Sequence, residues 1–312
     1  MRFYLIRRLV MTVPLAVMIS FLAFVLMSLA PSDPAEVALR VNAVVPTDQA
    51  IALMRHELGL DKPFLLRYLS WLWNALHLDF GTSFVTRTPV LHEFLNALPA
   101  TLWLAGVALL MIVTLSLALG VGCALAEGSW LDKAVRSLVF LAVAVPNYWI
   151  GLLLIWWLSV KMDWFPVGGM SEAKSVVLPA LTLTLGYIGT YFRLIRGGMV
   201  GNLHQNYALY ARARGLSPRV IVFKHVLVNS LHSSLTAIGM SIPKLIAGTV
   251  VIENVFAWPG IGRLCVTAIF NRDYPVIQAY VLLMAALFLL FNFLVDVLQI
   301  KLDPRLLGRR GR

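Results

Sequence analysis

Few side chains in this sequence have the types and spacing that catalysis needs. His-Glu pairs at positions 56–57 and 92–93 begin like the zinc protease motif, but Leu60 and Asn96 stand where its second histidine would be. No serine has glycine at both positions two residues away, as a nucleophile elbow requires. No lysine follows a glycine, so the Walker A phosphate loop is absent and energy from ATP must come from another chain. The chain is predicted not to be an enzyme.

The composition indicates the elements that position these residues. Hydrophobic residues make up 60% of the 312 residues and charged residues 13%, against about 25% charged in a soluble domain. This balance excludes a soluble enzyme. Because backbone polar groups in lipid must be paired within their own segment, each long apolar stretch is predicted to be a membrane-spanning helix. The six stretches are 9–30, 99–126, 137–160, 175–192, 226–252 and 274–295.

The basic residues predict the orientation. With a cytoplasmic N-terminus, sixteen of the 26 Lys and Arg fall in inside segments, and nine fall outside beside eleven acidic residues. The positive-inside rule therefore predicts that both termini are cytoplasmic. The same bias accounts for the net charge of +11, so no nucleic-acid partner is predicted and membrane lipid is the expected surrounding. The apolar core of the first helix is long for a signal peptide, so an uncleaved helix is predicted, with a cleaved signal peptide as the alternative.

The predicted topology divides the chain into three parts. Residues 1–30 form an N-terminal tail and the first helix, residues 31–98 an extracytoplasmic loop domain, and residues 99–312 the remaining transmembrane core. Residues 64–80 within the loop domain predict an amphipathic helix that lies on the membrane or on other helices. Contact of this helix with a soluble partner is an equal alternative to packing alone.

The longest inside loop, within residues 193–225, is predicted to form a compact knob. It holds six basic residues and is interrupted by Gly215 and Pro218. Residues 207–214 predict a helix, Gly215 its C-terminal cap, and Pro218 the start of a second helix. Without the motif described next, an ordinary charged loop, which the positive-inside rule permits, is the favoured interpretation.

The sequence of this knob resembles the coupling loop of binding-protein-dependent ABC importer permeases of the peptide and nickel family. The resemblance rests on Tyr207, Ala211, Arg212, Ala213, Arg214, Gly215, Leu216, Ser217 and His225. Further motifs that look like this family occur at 78–83, 252–262, 268–278 and 303–305, so that essentially the whole chain is covered. Val228 and Ser230 depart from many relatives, which places the detailed docking contacts in question.

The resemblance implies an all-α polytopic membrane protein with the type I ABC importer permease fold. It implies a bacterial cytoplasmic (inner) membrane location, a homologous second permease, two ABC ATPase subunits that bind ATP and Mg, and an extracytoplasmic solute-binding protein. The runs 252–260 and 268–275 look most like permeases for nickel or for metals chelated by opine-type metallophores, with peptide permeases as the alternative. A secondary transporter or channel is an alternative of another class, although such proteins place paired charges or broken repeats at the midplane.

Two regions are candidates for the translocation path. The resemblance points to an outer gate between the fifth and sixth helices, formed by Glu253, Trp258, Pro259, Gly260, Gly262 and Asp273; interfacial anchoring is the alternative. Lys244, the one charge within the spans, is predicted to line the path on a face with Ser234 and Gly248. Its alternative partner is a carboxylate of the companion permease.

The predicted sides of the membrane also bear on metal binding. Cys123 and Cys265 fall on opposite sides, which excludes a disulfide or a shared metal site between them. The six histidines are scattered. This chain is therefore predicted to bind neither a metal nor a cofactor of its own.

The charge bias generates a labelling test of orientation. Asn206→Cys lies in the predicted cytoplasmic loop, whereas Asn42→Cys lies in the predicted extracytoplasmic domain. In intact cells an impermeant thiol reagent is expected to label position 42 and to leave position 206 unlabelled until the membrane is opened. Labelling of position 206 from outside would contradict the orientation.

Overall fold

The computed structural model describes residues 2–29 and 33–302, which are mostly helical. Within this part the only β pairing is an isolated bridge between Thr82 and Pro89. The motif at 303–305 lies outside the described residues. The helices are α1 (Arg2–Ser28), α2 (Pro34–Val41), α3 (Asp48–Glu57), α4 (Phe64–Leu76), α5 (Val90–Leu125), α6 (Trp130–Ala144), α7 (Asn147–Leu154), α8 (Val177–Leu203), α9 (Asn206–Ala213), α10 (Pro218–Val220), α11 (Leu227–Val255), α12 (Ile261–Asn271) and α13 (Tyr274–Leu302).

Most of the predicted spans are confirmed as single helices. In the part of the chain that is described, five helices are long and apolar enough to cross a membrane, and a sixth crossing is present if one bent pair counts as a span. The five are Val10–Ser28, Val90–Leu125, Ala173–Leu203, Ala237–Val255 and Tyr274–Val297. The side of the membrane on which each terminus lies stays a prediction, as does the division at residues 30 and 98.

The prediction of one continuous helix over 137–160 is wrong. α6 ends at Ala144, and α7, which continues as a π-helix over Ile155–Lys161, is bent from it by 104°. Pro146 is the physical reason, because the residue before a proline is pushed out of the helical region. Val145 accordingly has an extended backbone, with φ −87° and ψ 135°. Hydropathy alone does not register this break.

The fourth span extends beyond its predicted end at residue 192. α8 continues to Leu203, so the predicted cytoplasmic loop starts inside a helix. Arg196 is accommodated because its guanidinium donates two hydrogen bonds of 2.7 Å to the buried carboxylate of Asp132, near the start of α6. Such a bidentate pair is among the stronger polar contacts in proteins. The charge marks the end of the apolar stretch and not the end of the helix.

The chain divides into two compact units, Met1–Thr101 with Pro259–Arg312, and Leu102–Trp258. In the first unit α1 packs against α13 and also against α4. The α1–α4 contact is aromatic: the ring of Tyr68 meets those of Phe21 and Phe24 with centroids 5.1 and 5.6 Å apart. This packing positions the segment that connects the first two spans.

In the second unit α8 is central and packs against α6, α7 and α11. Glycines allow the close approach of these helices. A Cβ at Gly189 would lie 2.5 Å from the side chain of Val143, and one at Gly248 would lie 2.8 Å from the hydroxyl of Tyr187. The helices that flank the predicted knob, α8 and α11, are therefore directly packed on each other.

Candidate functional site

The backbone of the knob forms as the sequence predicts. α9 ends in a Schellman motif, in which the N–H of Gly215 donates to the carbonyl of Arg212 (2.9 Å) and that of Leu216 to Ala211 (3.2 Å). Gly215 has φ +78°, a conformation that side chains with a Cβ rarely adopt. Pro218 begins α10 after an extended Ser217. The predicted helix, glycine cap and second helix are confirmed.

A small apolar core holds the knob to the helices behind it. Ala208 of α9 is fully buried in a cluster with Met199 of α8 and with Ile221 and Val226, which precede α11. Tyr207 and Ala211 are half-buried and pack on this cluster. The knob is thus part of the packed unit, unlike a solvated charged loop.

A chain of hydrogen bonds centred on Asn202 adds to this core. The hydroxyl of Tyr207 donates to Oδ1 of Asn202 (2.9 Å). Nδ2 of Asn202 donates to the carbonyl of Gly198 (2.9 Å) and to Oγ of Ser230 (3.1 Å). The Ser230 hydroxyl in turn donates to the carbonyl of Val226 (2.7 Å). One side chain at the end of α8 therefore joins α9 to α11.

Sequence reasoning missed this network. Asn202 carries no motif, and Ser230 was considered only as a departure from the family pattern. The buried Ser230 lies behind the knob, where its hydroxyl holds Asn202. A polar side chain at the end of an apolar helix, five residues before a tyrosine, is the one signal that points to Asn202.

The outer surface of the knob is both apolar and basic. Leu209, Tyr210 and Phe223 are more than half exposed. The predicted coupling residues Arg212, Ala213, Arg214, Gly215, Leu216 and Ser217 are also exposed, whereas His225 is half-buried in the π-helical segment before α11. An exposed apolar patch rimmed by charge is typical of a protein interface. Tyr207 and Ala211 hold the knob in place, and residues 212–217 belong to its exposed surface.

The candidate gate residues of the second unit close the end of α11. The N–H of Trp258 donates to the carbonyl of Glu253 (2.8 Å), with Ala257 in the left-handed region at φ 49°. Glu253 and Trp258 are 0% and 1% exposed. An interfacial anchor keeps its polar edge among lipid headgroups, so this burial of the indole is unlike an anchor. A gating role stays a prediction.

The candidate gate residues of the first unit surround the start of α12. Gly260 precedes this helix and Gly262 is buried within it, while Pro259 is exposed. Because a glycine has no side chain to cap the helix, the N–H of Ile261 instead donates to Oγ1 of Thr101 (2.9 Å). This bond fixes α12 against α5 within the first unit.

Asp273, between α12 and α13, brings together two motifs that the sequence showed separately. Its carboxylate accepts a hydrogen bond from the hydroxyl of Ser83 (2.5 Å), 190 residues away, and one from the N–H of Phe84 (3.2 Å). Ser83 belongs to the 78–83 motif, which sequence reasoning placed in the outer domain without a partner. The Asp273 side chain is 2% exposed and anchors that loop.

Lys244 is exposed on α11, beside Met240, Ala247 and Val251. Of the residues predicted to share its face, Ser234 is buried and Gly248 is half-buried, and a role in lining the path stays a prediction. The carbonyl of Lys244 accepts a hydrogen bond from the hydroxyl of Tyr187 (3.0 Å). Among the residues that the structure describes, the Lys244 ammonium forms no ion pair.

No metal centre is formed by residues 2–29 and 33–302, where no three His, Cys, Asp or Glu side chains gather. Cys123 and Cys265 are both buried free thiols. Burial raises the pKa of Cys265 to about 12, so this thiol is protonated at neutral pH and is a poor metal ligand. That this chain binds no cofactor of its own stays a prediction.

These features describe a multi-pass membrane protein with a packed, exposed knob. Residues 116–308 match the family model "Binding-protein-dependent transport system inner membrane component", and residues 1–105 match "Binding-prot-dependent transport system membrane comp, N-term". The chain belongs to this family and is a permease subunit of an ABC importer. The family implies a second permease, ATPase partners and a binding protein.

Relatives match over nearly the whole chain. The metal-staphylopine import system permease protein CntB of Staphylococcus aureus (strain NCTC 8325 / PS 47) is 39% identical over 304 residues, covering 97% of each chain. The di/tripeptide transport system permease protein DppB of Pseudomonas aeruginosa (strain UCBPP-PA14) is 37% identical over 335 residues, covering 98% of this chain and 99% of DppB.

A solved structure supports the same fold. A chain of the inward-facing MetNI methionine ABC transporter aligns with a TM-score of 0.57 over 67% of this chain and 96% of its own, at 18% identity. This similarity shows the type I ABC importer permease fold alone, because the sequences are far apart.

The left-handed conformation of Gly215 generates a prediction about coupling. Gly215→Val is expected to strain the turn by about 1–3 kcal/mol and to abolish stimulation of the partner ATPase while the protein still inserts. A Cβ at this position meets no atom within 4 Å, so strain and not a clash is the cause. Gly215→Asn is the matched control, because asparagine tolerates positive φ and should retain more stimulation. Normal stimulation in the valine variant would contradict the role of the turn.

The Asp273 anchor generates a prediction about stability. Asp273→Ala leaves the buried Ser83 hydroxyl and the Phe84 N–H without this acceptor, and is expected to destabilise the purified protein by about 1–3 kcal/mol. Thermal unfolding in detergent measures the loss. Asp61→Ala, at an exposed position, should change the midpoint little. Equal midpoints for the two variants would contradict the anchor.

Proposed function

We propose that this chain and a homologous permease form the path of an ATP-driven importer for nickel or a metallophore-chelated transition metal. Two partner ATPases bind ATP with Mg and hydrolyse it, and an extracytoplasmic binding protein delivers the substrate across the bacterial inner membrane. The observation that carries the coupling mechanism is the knob, a basic and apolar surface packed directly on α8 and α11.

The knob has the properties of a mechanical link. α9 has eight residues and is too short to be stable alone, so its position depends on the Ala208 core and on Asn202. A displacement of its exposed surface by a closing ATPase is transmitted through the hydrogen bonds to Ser230. α8 and α11 then move with the knob, and α11 leads directly to the candidate gate at Trp258.

The substrate proposal rests on the relatives and on Lys244. CntB is named for metal-staphylopine import and DppB for di/tripeptides, at similar identity. An exposed lysine without an ion-pair partner in the described residues attracts the carboxylates of a chelate and repels a free divalent cation. A peptide importer is the second candidate, supported by the peptide permease relatives alone.

Reconstitution of the complete complex with its binding protein tests this function. Vesicles are supplied with free Ni²⁺, with a carboxylate-rich nickel chelate, or with a dipeptide, each with and without internal ATP. We expect uptake of the chelate that requires ATP and survives collapse of ion gradients. Uptake driven by an ion gradient without ATP would instead identify a secondary transporter, and uptake of the dipeptide alone would identify a peptide importer.

Removal of the Lys244 charge generates a directional prediction. Lys244→Met is expected to preserve assembly and to lower uptake of the anionic chelate about tenfold more than uptake of an uncharged peptide, as the loss of one hydrogen bond to a charged group predicts. Lys161→Met, which removes an exposed lysine at the end of the π-helix, is the control. Equal losses for both substrates, or a complex that no longer assembles, would favour pairing with the companion permease.

A further inference from the structure

α4 lies against the apolar span of α1 and not above it. The hydroxyl of Tyr68 is 2.8 Å from that of Ser20 and donates a hydrogen bond to the carbonyl of Val17 (3.2 Å). Ser20 lies eight residues before Ser28, the end of α1, or about 12 Å along a helix at 1.5 Å per residue. Under the predicted orientation, α4 therefore occupies the depth of the outer lipid leaflet.

α4 exposes an apolar stripe next to an equally uncovered α1. Five side chains form the stripe, each between 56% and 71% exposed: Leu65, Leu66, Leu69, Trp73 and Leu76. Only 17% of the most apolar part of α1 is buried within the chain. A membrane span is covered by lipid, and the stripe continues that surface. Acyl chains are therefore the occupant that the position of the stripe favours.

A cavity of about 390 Å³ opens on another face of the same helix, within the first unit. Arg67, Ser70 and Asn74 of α4 line it, together with the last turn of α1 and the first turn of α13 at Tyr274 and Gln278. Since both spans end here, the cavity lies at the level of the lipid headgroups. About half of its lining is polar and suits a headgroup, and the apolar half suits the first part of an acyl chain.

The charges in the cavity call for a ligand. Arg67 is half-buried, with its guanidinium over the ring of Phe24 at 5.8 Å from the centroid, and Lys62 lines the same cavity. Among the described residues neither cation forms an ion pair. Glu57 and Asp79 also line the cavity. A partly buried arginine without a counter-ion is unfavourable, and phosphate is, with carboxylate, an anion that its planar donors match in a bidentate way.

We propose that this cavity binds one outer-leaflet phospholipid with a zwitterionic headgroup. Arg67 and Lys62 bind its phosphate, Glu57 and Asp79 face its ammonium group, and its acyl chains lie along the stripe of α4. Phosphatidylethanolamine has this combination of charges. The bound lipid would fix the segment between the first two spans to the membrane on which a delivering protein must dock.

Native mass spectrometry of the complex tests the site. The complex is released from vesicles of equal phosphatidylethanolamine and phosphatidylglycerol, and we expect one phosphatidylethanolamine to be retained per chain. The double variant Arg67→Gln, Lys62→Gln should lower retention at least about five-fold, because the charge-assisted bonds to phosphate are lost. Arg40→Gln, which removes a cation paired with Glu36 outside the cavity, is the control and should retain the lipid.

Three outcomes of this experiment would overturn the proposal. They are equal retention by the double variant, preferential retention of phosphatidylglycerol, and displacement of the lipid by soluble glycerophosphoethanolamine at equimolar concentration. The last result would show that the headgroup suffices and that the stripe contributes nothing.

A second measurement leaves the cavity residues unchanged, so its result does not depend on whether the double variant folds. A bimane fluorophore on Leu69→Cys should be quenched by phosphatidylethanolamine with brominated acyl chains, whereas one on Asp48→Cys of α3, an exposed position, should not. The buried native cysteines remain unlabelled. Quenching of position 69 by iodide in water, relieved by the binding protein, would assign the stripe to that partner and reject the lipid.

Discussion

The hydrogen bonds of Asn202 are the interaction on which the functional account depends. One amide accepts from Tyr207 and donates to Ser230, and so connects three helices that hydrophobic contacts alone would leave free to slide. Hydrophobic packing is not directional, whereas the half-buried amide of Asn202 has one arrangement that satisfies its hydrogen bonds. A short helix that must transmit a displacement has to be held in one fixed position. If the knob were loosely held, it would move without moving α8 and α11.

Hydrogen bonds to a buried polar side chain also hold other connecting segments in place. Asp273 fixes the loop at Ser83, and the buried Asp132 fixes the start of α6 to Arg196 of α8. Each carboxylate would be costly to bury alone and is stable because its partners satisfy it. Spans of similar apolar character can pack in several registers, so a few satisfied polar groups select one. These contacts also explain why the connecting segments here are structured.

Local sequence patterns predicted much of this structure, but they did not predict the contacts between side chains that are far apart in the sequence. Apolar length identified the spans, and Gly215 with Pro218 identified the turn of the knob, because these signals act within a few residues. Hydropathy did not register the break at Pro146. The fourth spanning helix continues past its predicted end because the carboxylate of Asp132, 64 residues earlier in the chain, pairs with the charge of Arg196. The partners of Asp273 and Ser230 were equally invisible, since no local pattern links residues on different helices.

The central claim is that the exposed tip of the knob docks on an ATPase subunit, and a site-specific crosslink tests it most directly. A photoreactive benzoylphenylalanine at Leu216, which is exposed at the turn after α9, is activated in the assembled complex and the adduct is identified by mass. The account predicts an adduct with an ATPase subunit whose yield changes when ATP is trapped. An adduct with the binding protein, or none with any ATPase, would contradict it.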